Sequence, residues 1–147
     1  MREGFGLITA IIVLVIVSTL MALMMSLSST SVKQTTDIFF KEQAALLARS
    51  AAEYGLLAIS GHENNESCIE HINMRYPNAI TPTHEMNLTM YYLYKGAPTT
   101  CGQILASNIN TSESNITVMM DVRVAVRQDT TGVTEPIVIH RRTLQKP

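Results

Sequence analysis

The sequence has no Trp, only 5% aromatic residues, two cysteines and no run of Lys or Arg; its formal charge is −1 and its pI about 6.4. Without a basic stripe nothing neutralises a phosphate backbone, so nucleic acid is not an expected partner. CxxC, HExxH, a glycine-rich phosphate loop and a nucleophile elbow are all missing. His62, His71, His84 and His140 are scattered without ligand spacing and read as surface or internally satisfied side chains. The expectation is a protein with no metal, no cofactor and no catalytic site: not an enzyme.

The longest absence is of charge. From Gly4 to Val32 there is no charged residue. As a helix, Phe5 to Leu27 would extend about 34 Å against a hydrocarbon thickness of roughly 30 Å. This predicts a transmembrane helix over 5–32, after residues 1–4. In 147 residues, one span and one small domain use up the length. A secretory signal would need a basic n-region, a shorter apolar core and a small-x-small cut site. Here only Arg2 and the terminal amine are basic, and Ser26, Ser28 and Ser29 offer a weak site at best. An uncleaved signal anchor is another reading of the same run.

The opening Met1-Arg2-Glu3-Gly4, followed by Phe5-Gly6-Leu7-Ile8 and an unbroken Ala/Ile/Val/Leu run, resembles the N-terminal segment of type IV prepilins and secretion pseudopilins. The resemblance implies that a prepilin peptidase cuts between Gly4 and Phe5 and methylates the new amine of Phe5. It implies a bacterial inner-membrane protein, single-pass, with its C-terminal domain in the periplasm. The implied partners are prepilin peptidase, other pilin or pseudopilin subunits met through the N-terminal helix, and membrane lipid. One departure matters: the family places Glu at the fifth residue of the mature chain, and this chain has Thr9. In the family that carboxylate is thought to pair with a neighbour's terminal amine, because isolated charge in hydrocarbon costs several kcal/mol. Thr9 is neutral and can bond back to its own helix. Family members lacking the Glu include the pseudopilin at the fibre tip, so the expected role is a minor or tip subunit of a type IV pilus or type II secretion pseudopilus. A single-pass periplasmic binding or sensor domain that never polymerises is the alternative. A secreted protein cut after the serines is a third.

Beyond the span, Ser28 to Thr36 is rich in poor helix formers and predicts a looser turn. An amphipathic continuation over 33–61 follows, with Phe40, Ala44, Leu47, Ala51, Tyr54 and Ala58 on one face and Gly55 and Gly61 marking its end. In the remaining 62–147, Glu66–Tyr76 reads as a short helix through Ile69, Ile72 and Tyr76, and Asn87–Tyr94 as a strand. Ile116 to Arg127 alternates apolar and polar residues as a half-buried strand. Asp129–Gly132 reads as a turn, and Ile137–Leu144 as an edge strand behind Pro136. The fold class is α+β: a long N-terminal helix packed against a small antiparallel sheet, as the pilin resemblance also implies.

Cys68 and Cys101 both follow the apolar run, an even count that suits a disulfide in an oxidising compartment; two reduced buried thiols are the alternative. Bonded, they would close a loop of roughly 34 residues, worth about 3–4 kcal/mol in the chain-entropy model. Asn65, Asn87, Asn110 and Asn115 each open an N-x-Ser/Thr acceptor. At Asn65, Asn87 and Asn115 an acid stands two places before (Glu63, Glu85 and Glu113), which resembles the extended acceptor of bacterial periplasmic oligosaccharyltransferases. These three are the candidate glycosylation sites, on predicted loops or strand starts; Asn110 follows Asn108 and is expected to stay bare.

Overall fold

The computed structural model describes residues 3–62, 67–95, 101–109 and 116–147. In chain order the elements are α1 (Glu3–Ser60), β1 (His71–Tyr76), β2 (His84–Tyr94), β3 (Ile104–Ala106), β4 (Ile116–Val126), α2 (Gln128–Thr131) and β5 (Val138–Gln145). The chain divides into two units, Met1–Thr36 and Asp37–Pro147.

In the first unit the residues of α1 from 6 to 35 are exposed, among them Leu7, Ile11, Leu14, Met21 and Met25. Such a surface suits a hydrocarbon solvent: this one long apolar helix is able to cross a membrane. The looser turn expected at Ser28–Thr36 does not occur, and α1 runs unbroken. The hydroxyls explain why. Ser29 and Thr30 both donate to Ser26 O, Thr35 to Ser31 O and Thr36 to Val32 O, at 2.9–3.0 Å. Each side chain is satisfied inside the helix instead of competing with it.

The second unit is α+β. β1, β2, β4 and β5 lie in that order, each antiparallel to its neighbour, while β3 adds parallel to β2 with Tyr92 opposite Ile104. Strand β4 is where the alternation of Ile116–Val126 places it, and the expected edge strand is β5. β2 begins at His84, earlier than expected, because the full length of β4 is available to pair with it. The Asp129–Gly132 turn is a single helical turn, α2, closed by Gly132 at φ 68°, where a left-handed residue lets its N–H reach Gln128 O. The helix expected over Glu66–Tyr76 is instead strand β1. Ile69, Ile72 and Tyr76 mimic a helical period, but six residues of pairing with β2 decide the segment, and Ile72 and Met74 turn alternately onto the core.

The core lies between one face of this sheet and residues of α1. From β2 it takes Met86, Leu88, Met90, Tyr92 and Tyr94; from β4, Val118, Met120, Val122, Val124 and Val126. The helix answers this bulk with small residues: Ala44, Ala48, Ala51, Ala52 and Gly55, then Ile59. The buried stripe is therefore rotated from the expected one. Tyr54 is exposed and Ala58 only half-buried, because a face carrying Tyr54 cannot approach strands that already present Met, Leu and Tyr. Gly55 does not end the helix. A Cβ there would lie 2.5 Å from Leu88 Cδ2 and 3.2 Å from Met120 Sδ.

One polar side chain is built into this core. His84 is fully buried on β2, its ring 5.9 Å from that of Phe40 and 6.1 Å from that of Tyr76. Its Nε2 faces Phe40 O at 3.5 Å, and its Nδ1 lies 2.9 Å from Thr83 Oγ1. Burial pushes its pKa below the ordinary 6.5, against a smaller opposing effect of the Phe40 carbonyl.

Two predictions follow from this packing. Gly55→Ala will lower stability: overpacking a core typically costs about 1–3 kcal/mol, more than the roughly 1 kcal/mol gained in helix propensity. Gly61→Ala, whose Cβ would meet nothing closer than Leu57 O at 3.5 Å, will not; thermal unfolding of the two variants compares them directly. For His84, the unfolded chain takes up a proton below pH 6.5 that burial denies the folded one, so stability is complete above 6.5 and is lost as pH falls. The melting temperature should fall as pH drops below 6.5, and His84→Asn should remove most of that fall.

Candidate anchor and processing segment

Gly4 and Phe5 lie in the first turn of α1, directly after its first residue, Glu3. Thr9 lies in the next turns, exposed, and its hydroxyl donates to Gly6 O at 3.0 Å. A neutral side chain whose proton returns to the helix backbone carries no charge into an apolar surround. From Gly6 onward, the polar side chains of the apolar run behave alike: Ser18 and Thr19 donate to Val15 O and Ile16 O.

The exposed apolar surface of α1 does not stop at Val32. In the second unit Phe39, Leu46 and Leu57 are 60%, 61% and 70% exposed, at spacings of seven and eleven residues that keep one helix face. This outward row was not singled out in the sequence, where attention to one amphipathic stripe treated everything off it as solvated. Large apolar residues recurring opposite the alanines were the available signal.

Cys68 and Cys101 are bonded, with Cα atoms 5.3 Å apart. The bridge sits at the point where β1 and the β3 segment meet along the same side of β2. Glu70 reinforces it. Its backbone O accepts from Met90 N at 2.8 Å, and its Oε1 accepts from Gln103 N at 3.1 Å and from Gly102 N. Gly102 is needed for that approach, because a Cβ would stand 3.1 Å from the same carboxylate oxygen. Nearby Tyr92 donates to Ile69 O at 2.6 Å, and its phenol is pushed up to about 12, chiefly by burial, so it remains a donor. Neither Glu70 nor Tyr92 carried a motif that marked it.

No protein-family model, curated protein or solved structure matches the chain.

Of the candidate acceptors, Asn65 and Asn115, like Asn110, lie outside the described residues. Asn87 is the fourth of eleven residues of β2, exposed on the sheet face away from α1, with Asn73 and Arg123 as its partners in β1 and β4. It lies in mid-strand, neither in a loop nor at a strand start, with a neighbouring strand on both sides. Among the described residues no three His, Cys, Asp or Glu side chains converge.

The bridge yields a quantitative expectation. Replacing Cys68 and Cys101 with Ser should cost about 3–4 kcal/mol, read as a lower denaturation midpoint, while membrane insertion of the uncharged segment is unchanged. Two alkylatable thiols in the natively oxidised protein would contradict the bond.

Proposed function

We propose that the chain is a non-enzymatic pilin-like subunit, a minor or tip component of a type IV pilus or type II secretion pseudopilus. In this reading prepilin peptidase cuts after Gly4, the uncharged helix lies in the bacterial inner membrane among lipid and the helices of other subunits, and the sheet domain occupies the periplasm. The observation that carries it is α1 itself. A single 58-residue helix carries no charge from Gly4 to Val32 and then packs a narrow alanine face under a sheet while keeping a row of large apolar side chains outward. An anchor alone needs only the first of these. An apolar row outside the core is what lateral contact between parallel helices requires. Thr9 supports the minor or tip role, since a subunit without the family's carboxylate has nothing to neutralise a neighbour's terminal amine.

N-terminal analysis of the membrane-extracted protein should find Phe5 first, and Gly4→Leu should leave the leader attached. Met1 retained in an assembly-competent host would sink the reading in favour of a non-polymerising anchored domain. Thr9→Glu distinguishes tip from repeating subunit. At the tip it puts an unpaired carboxylate in hydrocarbon, at about 2.5–3.5 kcal/mol on insertion scales, and should never raise the amount of protein in sheared fibres. Greater incorporation of the variant would show a repeating subunit.

A further inference from the structure

The outer edge of β5 combines three features. First, it offers unpaired backbone. Val126 N donates to Ile137 O, and antiparallel pairing alternates from there, so Ile139, Arg141, Thr143 and Gln145 turn their backbone groups to β4. The N–H and C=O of Val138, His140, Arg142 and Leu144 consequently point away from the sheet, and among the described residues nothing bonds them. No proline interrupts the strand. Second, two cavities open between this edge and α1. One of about 300 Å3 has an apolar wall of Ile38, Pro136, Ile137 and Ile139, with Asp37, Lys41 and Glu135 at its side; the other, of about 140 Å3, is walled by Arg49, Arg141, Thr143 and Gln145. Ile139 and Thr143 are four residues apart, about 13 Å along a strand. Third, the second cavity is electropositive. Glu53 also lines it, but Arg49 and Arg141 make no ion pair among the described residues, which leaves a surplus of one positive charge.

We propose that the edge of β5 is a strand-addition site for an extended acidic segment of a different protein. The segment runs antiparallel to β5, places a carboxylate beside Arg141 and Thr143, and four residues later places an apolar side chain in the cavity beside Ile139. Main-chain bonds to the four outward residues supply affinity, and the two cavities read alternate side chains. A second copy of this chain is a poor occupant. In the two antiparallel registers that pair nearly all of β5 with itself, Arg141 meets Arg141 or Arg142 meets Arg142, and like charges directly opposite are destabilising. Of the acids near this edge, Asp121 is engaged by Arg142 at 2.7 Å and by His140, Asp37 accepts from Thr134, Glu53 is outnumbered by Arg49 and Arg141, and Glu135 lines the other cavity together with Lys41. This site is independent of the pilin reading: a chain that retained Met1 would still present it.

The test uses the full-length chain in detergent micelles and a synthetic Thr/Val-rich peptide carrying one Glu and, four residues later, one Leu. Amide resonances of Val138, His140, Arg142 and Leu144 should shift and gain exchange protection, and the same peptide with Lys for Glu should bind at least about ten-fold more weakly. Arg141→Glu, at an exposed position, should keep the wild-type melting temperature and reverse that preference. Leu144→Pro removes an outward N–H and no bond to β4, and should abolish binding of both peptides. If that variant does not fold, the charge reversal decides alone. Equal binding of the two peptides, no binding at millimolar peptide, shifts confined to another surface, or a dimer of this chain joined through β5 would each overturn the proposal.

Discussion

The second unit depends on how closely α1 approaches β2 and β4. Five small residues, Ala44, Ala48, Ala51, Ala52 and Gly55, are buried against Leu88, Met90, Met120 and Tyr92, side chains among the largest in the core. At these five positions the space between helix and sheet is filled from the sheet side, while Ile59 and the partly buried Phe40, Leu47 and Leu56 add bulk from the helix elsewhere. A helix with Leu or Phe at these positions would stand further off, and the valines of β4 would lose contact. The three methionines at 86, 90 and 120 suit such a seam, because unbranched thioethers adapt to the irregular space beside a glycine. His84 is admitted to the same interface only because its two nitrogens meet Thr83 Oγ1 and the Phe40 carbonyl.

A second constraint acts at the far side of β2. Eleven residues of β2 face a partner edge divided between two short pieces: β1 covers His84 to Thr89, and the β3 segment covers Tyr92 and Leu93. Neither piece is long enough to hold itself in place. The Cys68–Cys101 bond and the Glu70 carboxylate fasten the two together at their junction, so the seam that the backbone leaves open is closed covalently and by charge-assisted bonds. For so small a unit, with a core drawn from one helix face and one sheet face, such a staple is a large fraction of net stability.

What was legible in the sequence follows from the range of the interactions involved. Strand β4 was readable because its two faces meet different environments, and Val118 to Val126 record this at every second residue. The pairing of Cys68 with Cys101 needed only a count. The amphipathic half of α1 was readable as a helix but not in its rotation. Tyr54 and Ala58 fit a three-four spacing as well as Ala48 and Ala52 do, and the choice was made by Leu88 and Met120, more than thirty residues away. Gly55 looked like a stop because a glycine inside a helix usually weakens it; its use, space for a leucine methyl, belongs to the partner strand. β1 was misread for the same reason. Its own residues tolerate a helical period, and only β2 makes it a strand. In the candidate segment, the helical placement of Gly4, Phe5 and Thr9 was legible because it depends on local order along one helix. The outward row of Phe39, Leu46 and Leu57 was not, since apolar residues on a solvated face have no local cause.

That row bears on why one helix carries both units. A helix in hydrocarbon must satisfy every polar atom internally, whereas a helix beside a sheet in water must bury one face and has no need to be apolar on the other. α1 is suited to the first demand, since Thr9, Ser18, Thr19, Ser29, Thr30, Thr35 and Thr36 return their protons to carbonyls three or four residues back. It meets the second through the alanine face. Neither demand accounts for Phe39, Leu46 and Leu57, each more than half exposed beyond the uncharged stretch. They lie on the helix face opposite the alanines, so the sheet that fixes the rotation of α1 gives no reason for them. Under the proposed function they are the side chains that a neighbouring helix would cover.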